Sequence, residues 1–202
     1  MRITIAQLNP IVGDIKGNAQ RLLEAARRCH AQGCDLVVLS ELYLVGYPPR
    51  DLLEKRWFID DVEAAIAELV RASAEFAGTG ILFGAPTRTG KRVGAGLHNS
   101  AVLIEGGKLI AMRHKSLLPT YDVFDELRYF DPAEEVSPVQ FKGETLGISI
   151  CEDAWNDPTL WPGQRLYACE PISELAAQGA TLMLNLSASP FYAGKHRVRY
   201  DL

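Results

Sequence analysis

The sequence predicts an α/β layered domain in which a mixed sheet carries helices on one face. Three observations lead there. Short β-branched apolar runs alternate with segments of helical period, the pattern of βαβ units. Further pairs of apolar runs meet at glycines, the mark of antiparallel hairpins. The 202 residues, 48% apolar and 23% charged, suffice for one sizeable core and are marginal for two.

Taken in order, "RITIAQLN" (2–9) alternates as a strand does. Residues 15–32 follow as a helix, because Ile15, Ala19, Leu22, Ala26 and Cys29 fall three and four apart and Gly33 stands just past the end. "DLVVLSE" (35–41) is a buried strand by its run of branched apolar residues. "DDVEAAIAELVRASAEF" (60–76) is a second helix, led by an acidic first turn. "GILFGAP" (80–86) is a strand, and "HNSAVLIEGGKLIAMRHK" (98–115) gives two more joined at Gly106-Gly107. "VQFKGETLGISIC" (139–151) is another pair around Gly143. "PISELAAQGA" (171–180) is a helix ending at Gly179, and "TLMLNLSAS" (181–189) a strand. The closing "GKHRVRYDL" reads as the start of a helix. Residues 1–202 are therefore expected to be one domain, cut short at its C-terminal end.

Several classes are disfavoured. A net charge of −4 speaks against a nucleic-acid or membrane-surface partner. No apolar run approaches the ~20 residues of a membrane span. The opening "MRITIAQLNPIVGD" lacks the basic start and long apolar centre of a secretory leader, so a cytoplasmic location is expected. Cys29, Cys34, Cys151 and Cys169 form no CxxC pair, and a reducing compartment disfavours a disulfide framework. His30, His98, His114 and His196 show neither HxH nor HExxH spacing, so no metal site is expected.

Three apolar runs end in ionisable side chains: "DLVVLS" at Glu41, "KLIAMRH" at Lys115 and "TLGISI" at Cys151. In layered α/β proteins ligands gather beyond the carboxyl ends of strands, so the three groups converge if these strands adjoin at one rim. A free thiol with a pKa of about 8.5 is little ionised at neutral pH. A nearby ammonium stabilises the thiolate, against the opposing charges of Glu152 and Asp153. A carboxylate can take the thiol proton and return it to a leaving amine. The ammonium and the backbone N–H after the nucleophile can hold an oxyanion. Such a set suits attack on an amide carbon and release of ammonia through a thioester. Taken singly, each residue has a commoner structural role: core thiol, solvated carboxylate, surface lysine.

The surrounding strings are more specific. "SELYLVGYPPRDLL" (40–53), "HKSLLPTYDVFDELRYF" (114–130) and "CEDAW" (151–155) resemble the three signature blocks of the nitrilase, or carbon–nitrogen hydrolase, superfamily. Within it they are most similar to the glutaminase domain of glutamine-dependent NAD synthetases, and the resemblance runs the length of the chain. It implies a four-layer α-β-β-α sandwich, with Glu41 as general base, Lys115 as oxyanion and thiolate partner, and Cys151 as nucleophile. It implies hydrolysis of L-glutamine to glutamate and ammonia, with no cofactor for that step. In the family the ammonia travels to a C-terminal synthetase domain, which uses ATP and magnesium to amidate deamido-NAD. That domain's motifs are absent from these residues. Assembly as a homo-oligomer is expected. Tyr121 matches a position lining the glutamine pocket, and "SASPFYAGK" (187–195) points to Ser189 and Lys195, with Ser187 a competing serine. Lys195 could pair with the α-carboxylate of glutamine and Glu152 with its α-ammonium, while Trp155 walls the pocket. His114, next to Lys115, should face the other way and be structural, and Cys29, Cys34 and Cys169 should be core thiols. Tyr47-Pro48-Pro49 is a stiff turn that fixes the loop after Glu41 or simply reverses the chain. Two other readings stay open: an amidase of the same superfamily acting on another small amide, and an inactive fragment.

Overall fold

The structure, a computed structural model, describes residues 1–157 and 166–201. Strands β1 (Ile3–Ile5), β2 (Leu36–Val38), β3 (Gly80–Arg88), β4 (Leu97–Glu105) and β5 (Lys108–His114) form one sheet in that order. The first three are parallel, and β4 and β5 are each antiparallel to the strand before. It follows that β5 runs the same way as β2. A second sheet has the order β6 (Val139–Phe141), β7 (Glu144–Ile150), β8 (Leu182–Leu186), with β6 antiparallel and β8 parallel to β7.

Side-chain alternation builds the layers. Val37, Ile81, Phe83, Val102 and Ile104 face α1 (Ile15–Ala31) and α2 (Arg56–Ala72), burying Leu22, Ala26, Phe58, Val62 and Leu69. Leu36, Val38, Leu82, Ala101 and Leu103 point the other way and meet Val139, Leu146, Ile148, Ile150 and Leu186 of the second sheet. Each fully buried side chain of this kind contributes about 1.5–3 kcal/mol. On the far side of the second sheet α3 (Pro171–Ala177) packs against β7 with Leu175 buried. The layers are helix, sheet, sheet, helix, the sandwich that the resemblance implied. A last helix, α4 (Lys195–Asp201), stands where the sequence predicted one.

The structure corrects several expectations. Periodicity alone suggested one mixed sheet, since it marks strands without naming their partners; the β6–β7 hairpin pairs with β8 in a second sheet, as the resemblance implied. The strand predicted over 2–9 is only Ile3–Ile5, and the chain leaves the sheet after Ala6 N–H bonds Val38 O at 2.9 Å. The strand predicted over 35–41 ends at Val38, so Glu41 lies three residues past it. The second helix starts earlier, at Arg56, and residues 73–76 tighten into a 3₁₀ turn. Cys29 and Cys34 are buried, but Cys169 is only half-buried. No helix among the described residues is long and apolar enough to cross a membrane.

Candidate active site

β2 and β5 do not adjoin, since β3 and β4 lie between them, but their carboxyl ends reach one rim. Beyond β2 the chain turns sharply, with Leu42 at φ 47°. This turn lies directly on β3 at Gly84. A Cβ there would stand 2.1 Å from Leu42 N and 2.8 Å from Glu41 Cα. Only glycine admits so close an approach. Gly84 N–H donates to Ser40 O at 3.1 Å, and Gly84 O accepts from Leu44 N–H at 3.0 Å.

Lys115 follows β5 and extends its ladder by one bond, its N–H donating to Asn99 O at 2.8 Å. Its Nζ donates to Glu41 Oε1 and to Glu126 Oε1, both at 2.8 Å. Asn99 Nδ2 also donates to Glu41 Oε1, at 2.8 Å, and Tyr47 O–H donates to Glu126 Oε1 at 3.1 Å. The Tyr47-Pro48-Pro49 turn thus does more than reverse the chain. Lys115, Glu41, Glu126 and Asn99 are all buried. Burial opposes the charge on Lys115, but Glu41 and Glu126 outweigh it and hold the ammonium well above its ordinary range. Burial pushes Glu126 up to about 7 against the pull of Lys115.

Cys151 enters from the second sheet. It sits in a 3₁₀ turn just past β7, at φ 45°, a left-handed conformation that costs a non-glycine residue about 1–3 kcal/mol. Asp153 holds this turn. Its Oδ2 accepts from Ile150 N–H at 2.9 Å, and its Oδ1 accepts from Ser116 and Leu117 N–H, both at 2.9 Å. One carboxylate therefore fastens the cysteine turn to the residues after Lys115. Burial pushes Asp153 up to about 6, with those N–H donors pulling back. Burial also raises the Cys151 thiol, Glu41 raises it further, and Lys115 only partly offsets them. Lys115 offsets only part of that rise because its charge is shared by two carboxylates, Glu41 and Glu126.

The other predicted residues gather around the thiol. Glu152 is buried and accepts from Tyr121 O–H, 2.8 Å to Oε1 and 2.9 Å to Oε2, and from Tyr167 O–H at 3.2 Å. Lys195 Nζ donates to Ser189 Oγ, and to Pro190 O at 2.9 Å. It lies 5.4 Å from the ring centroid of Trp155 and 5.3 Å from that of Tyr192. Burial, then Arg199, lowers its pKa, while the charges of Cys151 and Glu152 pull the other way. Ser187 Oγ donates to Asn185 Oδ1 at 2.5 Å, and Ala188 N–H donates to Glu41 Oε2 at 2.9 Å. The segment carrying Ser189 and Lys195 therefore begins at the carboxylate of Glu41. His114 faces away from Lys115 and bonds Ser100, as alternation predicted.

Sequence reasoning missed Glu126, Asn99, Tyr167 and the fastening role of Asp153. Glu126 and Asp153 stood inside the quoted strings, but nothing local distinguishes a buried partner of lysine from a solvated acid. Asn99 could have been found from its cross-strand place opposite Lys115 once the hairpin register was set. Tyr167 carries no signal in the sequence. A buried thiol, a lysine shared by two carboxylates and a left-handed turn at a sheet–sheet junction make a site able to do acyl transfer through sulfur.

The chain belongs to the carbon–nitrogen hydrolase family, whose family model matches residues 2–165. More particularly, it is similar to glutamine-dependent NAD(+) synthetases. It is 44% identical over 204 residues to the one from Synechocystis sp., covering 99% of this chain and 36% of that protein. The solved glutamine-dependent NAD+ synthetase of Acinetobacter baumannii, in complex with ADP, matches with a TM-score of 0.81 at 28% identity, over 98% of this chain and 34% of that one. An amidase from Nesterenkonia sp. shares the fold, with a TM-score of 0.78 at 24% identity over 97% of this chain and 68% of its own. The chain spans about a third of the length of the synthetases it matches.

Proposed function

We propose that this chain is a glutaminase domain that releases ammonia from L-glutamine through a Cys151 thioester. The observation that supports it best is the pairing of charges near the thiol: a buried carboxylate at Glu152 and an ammonium at Lys195. Free glutamine carries the complementary pair, an α-ammonium and an α-carboxylate. Ser189 and Trp155 hold Lys195 for the carboxylate, and Tyr121 and Tyr167 hold Glu152 for the ammonium.

In this reading Glu41 takes the Cys151 proton as sulfur attacks the side-chain amide carbon. The oxyanion is met by Lys115 and the N–H of Glu152. Glu41 then gives the proton to the departing nitrogen, and ammonia leaves with a thioester behind. Water, deprotonated by Glu41, attacks the thioester, and glutamate and the free thiol are restored. Glu126 keeps Lys115 charged throughout. In a longer protein the ammonia would amidate deamido-NAD in a C-terminal synthetase domain, and ATP and magnesium belong to that second reaction. Cytoplasmic function as a homo-oligomer fits the same reading.

The test is turnover of glutamine beside a panel of small neutral amides, with ammonia measured. Preference for glutamine, lost in Cys151→Ala, is expected. Preference for a neutral amide would favour a general amidase, and no turnover of any amide would favour an inactive fragment.

A further inference from the structure

Four polar side chains lie together on the face of β3, β4 and β5 turned away from Cys151, and the chemistry above uses none of them. Thr87 Oγ1 and Ser100 Oγ are 2.6 Å apart, and Ser100 Oγ and His114 Nδ1 are 2.8 Å apart. The rings of His98 and His114 stack, with centroids 4.1 Å apart and planes 20° from parallel. His98 Nδ1 donates to Asp131 O at 2.8 Å. Asp131 in turn accepts from Ala95 and Gly96 N–H, both at 2.9 Å, and its own N–H donates to Leu97 O at 2.7 Å.

Alternation places what this cluster holds. Asn99 lies between His98 and Ser100 on β4 and points to the opposite face, as does Lys115 after His114. Asp131 lies five residues after Glu126. The cluster thus grips the three segments that deliver Asn99, Lys115 and Glu126 to Glu41. An apolar pair could stack there, but it could not bond Ser100 on one side and the Asp131 carbonyl on the other.

We propose that His98 and His114 are positioning residues, a stacked pair that fixes the register of these three segments, and that protonation of His114 releases it. The proposal rests on the reading of Glu41 and Lys115 as reacting groups. The charged groups facing the pair are Arg113 on β5, Arg88 and Lys91 from the end of β3 and the β3–β4 connection, and Glu134 and Glu135 beyond Asp131; they line a cavity of about 340 Å³. Lys91 is bound to Glu134, and Arg88 to Asp60 and Glu63. Arg113 donates to the carbonyls of Ser137 and Pro138. Burial first, then His98, Arg113 and Lys91, pushes His114 down to about 4. The sign follows. A histidine depressed below its unfolded value of about 6.5 contributes stability that is present above that pH and is lost as pH falls through the folded value.

Two variants separate ring from bond. His114→Phe keeps the stack and loses the hydrogen bond. His114→Asn keeps a bonding atom near the Nδ1 position and cannot titrate. The full chain would be followed by thermal melting, by iodoacetamide labelling of Cys151 between about pH 4.5 and 8, and by glutamine turnover. At pH near 7.5, a folded His114→Phe should label and turn over about tenfold more slowly with KM nearly unchanged. His114→Asn should keep most of the rate there, and its melting temperature should fall less than that of the wild type as pH drops from about 6.5 toward 4.5. Wild-type labelling by a folded His114→Phe would overturn the proposal, as would superimposable profiles of melting temperature against pH for the wild type and His114→Asn. If His114→Phe does not fold, the asparagine profile decides alone. A wild type that labels at Cys151 but does not turn over glutamine would sink the glutaminase reading and leave the labelling test of the histidine pair standing.

Discussion

Gly84 and Glu41 are in backbone contact: a Cβ on residue 84 would lie 2.8 Å from Glu41 Cα and 2.7 Å from its carbonyl carbon. A mid-strand glycine on β3 is thus the seat of the turn that carries the proposed base. Gly84→Ala should push that turn off the sheet, at the overpacking cost of about 1–3 kcal/mol. Glutamine turnover should fall by more than about tenfold in protein that still melts cooperatively. A folded Gly84→Ala with wild-type turnover would show that the contact does not place Glu41.

Cys151→Ala and Cys151→Ser should abolish hydrolysis and leave the melting curve nearly unchanged, since each keeps or shrinks a buried side chain in place. Near-wild-type turnover by either would end the assignment of the nucleophile. Glu41→Gln and Lys115→Met should both slow acylation severely. Their double mutant should lose less than the sum of the two, because groups acting as one unit do not add. Lys115→Met also strands two buried carboxylates, so about 3–5 kcal/mol of stability should go with it. Urea denaturation measures that loss separately.

Glu126 gives a pH test. Its folded pKa, pushed up to about 7 by burial, lies above the unfolded value of about 4.3. The folded state holds that proton more tightly. The contribution is therefore fully present below the unfolded value and is lost as pH rises through the folded one. Glutamine has no proton to lose. Glu126→Gln should accordingly gain stability relative to the wild type between about pH 5 and pH 8, by about 1–3 kcal/mol. Urea midpoints at the two pH values measure this, and a difference that stays flat or changes sign would mean that Glu126 is not a strained buried acid.

Lys195 should matter for one kind of substrate only. Lys195→Met should raise KM for glutamine about tenfold or more with a smaller change in kcat. It should leave any turnover of a neutral amide such as propionamide unchanged, because that amide has no carboxylate to bind. Equal losses on both would place Lys195 in the folding of the Ser189–Lys195 segment and not in recognition.

Much of this was legible because strand ends are local features. Glu41, Lys115 and Cys151 each close an apolar run, and the strings around them are specific. What stayed hidden was relational. That the β6–β7 hairpin belongs to a second sheet depends on which strands pair, and hydrophobic period is silent on pairing. Glu126 and Asp153 look like any acids until Lys115 and three backbone N–H groups are placed beside them. Gly84 reads as an ordinary strand glycine until the turn at Glu41 is laid across it. The second acid after Cys151, which seemed only to hinder a thiolate, turns out to be the fastening of the turn that displays the thiol.

Glu41, Asn99 and Lys115 ride on the first sheet and Cys151 on the second, with Leu82, Leu103, Ile148 and their neighbours filling the space between. The apolar filling therefore works as a gauge block, and its thickness sets the distance a proton must cross from sulfur to carboxylate. Trimming Leu103 to alanine would cost the usual 2–5 kcal/mol or so of a core cavity, but it would also let the two halves of the reaction settle toward each other. Rate and volume are tied together in such a molecule. Side chains that never meet a substrate become the screws by which its chemistry is adjusted.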